Sequence, residues 1–151
     1  METKQLTDIV ADSFINGWVP TDVSDEYMEA LELCAWGTSA CEEMRQVAAR
    51  WQQSLNNLPV AQAVAISQLT SLRQALEQAY AQAQAVASPE HPATANLLLA
   101  LREGLKALIN SCNALIIAVE HRNWATLHTG LHCADKANSV LQVVYDSTHF
   151  V

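Results

Sequence analysis

From residue 97 to residue 119 an apolar side chain stands at almost every third or fourth position. Leu98, Leu101, Leu105, Leu108, Cys112, Leu115 and Val119 trace one seam, and Leu97, Ile109 and Ile116 widen it. Glu103, Lys106, Asn110 and Asn113 leave only a narrow polar stripe. That spacing suits a helix, whose side chains return to one face every 3.6 residues, and not a strand, whose side chains alternate. A helix polar over so little of its circumference has to be buried on more than one side. The segment therefore predicts the centre of a helical fold, or a helix facing a second copy of the chain.

The remaining sequence supplies helices to surround it. Residues 3–16 place Leu6, Ile9, Val10 and Phe14 on one face and stop at Asn16-Gly17, a pair suited to the left-handed backbone that ends helices. WVPTDVS follows as a linker, and Ser24 is an expected N-cap with Asp25 and Glu26 in the first turn, where the helix dipole favours negative charge. The next helix is expected to reach about Leu58 through Ala30, Leu33, Gly37, Ala40, Met44, Val47 and Trp51; Gly37 within that pattern suggests a close helix contact or a kink. Pro59 can open a third helix, in which Ala65, Leu69, Leu72, Leu76, Ala79, Ala83 and Val86 keep heptad spacing. SPEHP at 88–92 holds two prolines and excludes a continuous helix. After the 93–120 helix, Asn123 is placed to cap a last one over 124–146, with Trp124, Leu127, Leu131, Ala134, Leu141 and Tyr145 facing inward. The expectation is one all-α domain: an antiparallel four-helix bundle over residues 24–151, with a short N-terminal helix and linker over residues 1–23. Only four glycines and four prolines are present, too few for a strand-rich fold with many tight turns.

Charge is unevenly placed. Ten of the sixteen carboxylates fall in residues 1–43, where Lys4 is the one base, while the rest of the chain is nearly balanced. The basic residues never cluster, so no nucleic-acid partner is expected. Apolar runs such as LIIAV at 115–119 are far short of the roughly 20 residues that span a bilayer, and no membrane partner is expected. The start METKQLTDIV lacks the apolar core of a signal peptide. Cys34, Cys41, Cys112 and Cys133 lie singly within helical patterns, with no CxxC pair. They read as free, buried thiols of a cytoplasmic protein. Cys34 and Cys41 are seven residues apart, about 10 Å along a helix and out of disulfide reach. Cys112 and Cys133 lie at matching depths about the 120–124 turn, which allows a thiol pair or a soft-metal site, although small core fillers are the plainer reading.

Two stretches invite a functional reading. In EHRNWATLHTGLHCAD (120–135), His128 and His132 are one helical turn apart and Asp135 follows on nearly the same face. Two histidines at that spacing can chelate a divalent metal, with the carboxylate as a third ligand. No Glu-x-x-His or HExxH occurs in the chain, however, and the inward seam leaves His128 at its edge and His132 further out. The second stretch is TDVSDEYMEALE (21–32). Its acids can be a solvated face, or a docking surface in which Asp22, Asp25, Glu26, Glu29 and Glu32 steer a basic partner.

No acid, base and nucleophile converge, so no enzyme and no cofactor are expected. The reading is a non-enzymatic acidic bundle that binds another protein, of adaptor, secretion-chaperone or inhibitor type, by analogy of build and charge. The alternative is a metal- or small-ligand-binding bundle using His128, His132 and the nearby thiols. Self-association is expected as one way to cover the apolar 93–120 helix.

Overall fold

The computed structural model describes residues 24–54 and 58–148. Among these residues are four helices and no strand: α1 (Asp25–Gln53), α2 (Leu58–Ala85), α3 (Pro92–His121) and α4 (Trp124–Thr148). The expected 3–16 helix and its linker lie outside the described residues. Among the described residues no helix is long and apolar enough to cross a membrane.

Local chemistry accounts for each described boundary. The Ser24 hydroxyl accepts the Tyr27 N–H at 3.1 Å, and Asp25 and Glu26 occupy the first turn of α1. The helix ends at Gln53 and not near Leu58. The Ser54 hydroxyl donates to Arg50 O at 2.7 Å and its N–H to Trp51 O at 3.2 Å, closing the last turn early. Pro59 is the second residue of α2, where its missing N–H is not needed. At the far end of α2, Arg102 reaches across from α3. Its Nε donates to Ala83 O at 3.0 Å and Nη2 to Val86 O at 2.7 Å, placing a cation on the terminal carbonyls. Helix α3 starts at Pro92, and His91 Nδ1 accepts the Ala93 N–H at 3.2 Å.

Between α3 and α4 the chain turns on two residues. Arg122 adopts the left-handed conformation (φ 51°, ψ 42°), and the Asn123 N–H returns to Ala118 O at 2.8 Å. Gln62 of α2 donates to Val119 O and Glu120 O at 2.9 and 3.0 Å, satisfying two further carbonyls. Asn123 Oδ1 accepts the Thr126 N–H at 3.1 Å, the cap expected from sequence. A left-handed backbone disfavours any residue with a Cβ by about 1–2 kcal/mol, and glycine gives part of that back through the entropy of its unfolded chain. Arg122→Gly is therefore expected to raise stability by about 0.5–1 kcal/mol. A urea midpoint unchanged or lowered in this variant would show that the turn carries no such strain.

Helix α3 packs against each of the other three helices. Its seam is buried throughout, as expected, and of its large apolar side chains Leu99 and Ile117 remain exposed. Ala65, Leu69, Leu76, Ala79 and Ala83 of the α2 seam are likewise buried, as is Val86 just past its end, and Leu72 is partly buried. Gly37 marks a close contact: a Cβ there would stand 2.6 Å from Leu141 Cδ1, and one at Gly104 would stand 2.6 Å from Leu141 Cδ2. Leu141 thus sits between two helices that have no side chain at the point of contact. Trp124 departs from expectation. It is 43% exposed, and its ring packs on buried Trp51 with centroids 4.7 Å apart.

Candidate functional site

The acidic face lies on the first two turns of α1. Asp25, Glu26, Glu29 and Glu32 are all exposed, and Asp22 lies outside the described residues. Asp25, Glu29 and Glu32 follow at steps of four and three, which puts them on one side of the helix. Glu26 and Glu29 do more than face solvent. With Gln82, Ala85 and Val86 they line a groove of about 170 Å³ between the start of α1 and the end of α2. A second groove continues along the same helix pair, lined by Leu33, Trp36, Ala75, Gln78, Ala79 and Gln82, so that Gln82 belongs to both. One wall carries carboxylates, and the opposite wall is methyl and amide. The acids could be read from sequence; the α2 wall could not, because it depends on which helix lies beside α1.

The histidine stretch gives a different picture. His128 and His132 are exposed on α4, but Asp135, their expected third ligand, is engaged elsewhere. Arg45 of α1 pairs with Asp135 across the helix interface and also lies 3.4 Å from Glu42. Among the described residues no group of three or more His, Cys, Asp or Glu side chains is placed to hold a metal ion.

The cysteines divide. Cys34, Cys41 and Cys112 are buried, and Cys41 Sγ donates to Ala134 O at 3.4 Å. Burial pushes the Cys34 thiol up to about 11 and the Cys112 thiol up to about 12, because an ionised sulfur there would lose its water. Burial raises Cys41 as well, with Arg45 acting in the opposite sense. Cys133 is exposed, which corrects the expectation that all four are buried. It lies one residue outside the inward seam of Leu131 and Ala134, so a pair with buried Cys112 is not formed. Comparison with protein-family models, curated proteins and solved structures finds no match to this chain, so its functional reading rests on this geometry.

Proposed function

We propose that the protein is a non-enzymatic, single-domain antiparallel helical bundle that docks a basic surface of a protein partner on the acidic face of α1. An adaptor, secretion chaperone or inhibitor in the cytoplasm would have this character. The observation that carries the reading is the groove in which Glu26 and Glu29 stand over Ala85 and Val86. A lysine or arginine from the partner can lay its aliphatic stem on those methyl groups while its charged end meets the two carboxylates. Asp25 and Glu32 beside the groove, with Asp22 ahead of the helix, extend the negative field that steers approach. The antiparallel arrangement is supported by the order of the α1–α4 contacts. Gly37, Arg45 and Trp51 meet Leu141, Asp135 and Trp124, so α4 numbers fall as α1 numbers rise. Self-association would have to use surfaces such as exposed Leu99 and Ile117 on α3.

The test uses a synthetic amphipathic peptide of alternating Lys and Leu blocks as the basic probe, with association followed by stopped-flow fluorescence. Glu29→Gln together with Glu32→Gln is expected to slow association about threefold to tenfold at low salt and to flatten its salt dependence. Asp25 and Glu26 are poorer choices, since charge in the first turn also supports the helix by about 0.3–1 kcal/mol each. Glu103→Gln with Glu120→Gln removes the same charge from exposed positions on α3. If that control pair slows association as much, net charge and not the α1 face does the steering, and the docking site is lost.

A further inference from the structure

The acidic groove does not end at its carboxylates. Glu26 and Glu29 stand three residues apart on α1, and Leu33 and Trp36, also three apart, follow each of them by seven. Seven residues are two helical turns, about 10 Å along the axis, so the crevice repeats: a carboxylate pair, then an apolar pair on the same side of α1. Gln82 lines both halves and joins them into one crevice along α2. Of the helix pairs that follow one another around the bundle, α1 and α2 pack least closely among the described residues. Leu33, Trp36 and Ala75 are only partly buried there, so apolar surface stays within reach of solvent. The charge is likewise left open. The ion pairs of the described residues engage Glu42, Glu43, Glu77 and Asp135, and no lysine or arginine lines either half of the crevice.

We infer that this crevice receives an amphipathic helix of the partner, laid lengthwise between α1 and α2, with basic residues at positions i and i+3 and large apolar residues at i+7 and i+10. This rests on the acidic docking face proposed above and names what docks there. The basic pair meets Glu26 and Glu29, and the apolar pair packs on Leu33, Trp36, Ala75 and Ala79. Residues at those spacings fall on one face of a helix, as the a and d positions of a heptad do, and the set reads the same in either chain direction. An extended segment fits less well. It binds by pairing its main chain with free backbone groups, and the walls here are two helices whose N–H and C=O groups are paired within them. A helix without the basic pair would cover Glu26 and Glu29 with no counter-charge. One without the apolar pair would leave Leu33 and Trp36 to water.

The experiment titrates the ¹⁵N-labelled protein with capped helical peptides of alanine and glutamine, following the indole N–H resonances by NMR. The first peptide carries lysines at i and i+3 and leucines at i+7 and i+10. In the second the leucines move to i+5 and i+8, which turns them to the far side at unchanged composition. In the third a central proline breaks the helix. The Trp36 resonance is identified by its loss in Trp36→Phe. The first peptide is expected to shift it and to bind with a dissociation constant of roughly 10–100 μM. The second and third should bind about tenfold more weakly or worse. Trp36→Ala should weaken the first peptide about tenfold, an aromatic anchor having been removed, and leave the salt dependence of binding as it was. Should Trp36→Ala fail to fold, Ala75→Gln fills the same compartment with a neutral chain and is expected to weaken binding by a similar factor. Equal binding of the three peptides, with the Trp36 resonance unmoved, overturns the helix assignment; if binding still weakens in Glu29→Gln with Glu32→Gln, the acidic face stands without it. Binding that ignores those glutamates as well removes the acidic face and this inference together.

Discussion

Leu141→Ala is expected to cost about 3–5 kcal/mol of stability, in the upper part of the range for buried leucines. Leu141 is fully buried, and its two methyl groups lie against Gly37 of α1 and Gly104 of α3. A glycine has no side chain that could swing into the space left behind, so on those two sides the cavity can close only by moving backbone. For a domain of this length the loss corresponds to a melting temperature lower by roughly 8–15 °C. The paired glycines make a sharper test. An alanine at Gly104 would place its Cβ 2.6 Å from Leu141 Cδ2 and 2.8 Å from its Cγ, so in the native background Gly104→Ala is expected to destabilise by about 1–3 kcal/mol. The same substitution favours a helix interior by about 1 kcal/mol through backbone entropy alone. Once Leu141 is alanine the clash is gone and that gain should emerge. Gly104→Ala should therefore change sign, from destabilising in the native chain to stabilising in the Leu141→Ala variant. Urea unfolding of the four proteins, followed by circular dichroism, measures the cycle. Additive effects would mean that Leu141 does not fill the gap between the two glycines.

This interlock shows where sequence reading stops. Helical seams are legible because their period is local, and Leu98, Leu101, Leu105, Leu108, Cys112, Leu115 and Val119 are all buried where the spacing places them. Caps at Ser24 and Asn123 are legible for the same reason, since donor and acceptor lie three residues apart. Gly37 stands out in its pattern, but nothing near it in the chain points to Leu141, and Gly104 draws no notice beside stronger neighbours. Contacts between helices depend on their rotation and axial offset, which no single segment encodes. The early end of α1 is not legible, because a serine in a polar stretch looks like any helix surface until its hydroxyl turns back to Arg50 O. At the acidic groove one wall was readable as charge, whereas Gln82, Ala85 and Val86 became part of it only through packing. The buried Trp51 Nε1–H, which finds no acceptor among the described residues, is equally illegible, because whether an N–H is paired is a property of the assembled core. Cys133 is the instructive error. Its place within an apolar helical pattern predicts burial, whereas its offset from Leu131 and Ala134 turns it outward.

The division among the thiols yields the second large effect, first as reactivity. In the native protein one thiol, Cys133, should react quickly with Ellman's reagent, and all four should react after denaturation. Cys34, Cys41 and Cys112 lie in the core, so the reagent reaches them only when the bundle opens. For a domain of ordinary stability this slows them by about a thousandfold or more relative to Cys133. The same burial makes stability depend on alkaline pH. Folding raises Cys34 from 9.0 to about 11 and Cys112 from 9.0 to about 12. The folded state therefore keeps protons that the unfolded chain releases. A raised value of this kind leaves stability intact below pH 9, where both states are protonated. Above it the unfolded chain ionises first, and each thiol subtracts up to about 1.4 kcal/mol per pH unit until its folded form titrates as well. The loss should thus run from about pH 9 to 11 for Cys34 and on toward 12 for Cys112. Lysines and tyrosines also titrate in this window, so the informative quantity is a difference between two proteins. Cys34→Ala combined with Cys112→Ala should be less stable at neutral pH, because two core positions are trimmed. Its urea midpoint should nonetheless fall less steeply between pH 8.5 and 10.5 than that of the native chain. Equal slopes would mean that these sulfurs meet solvent as readily in the folded bundle as in the unfolded chain, and the core would have to be redrawn around them.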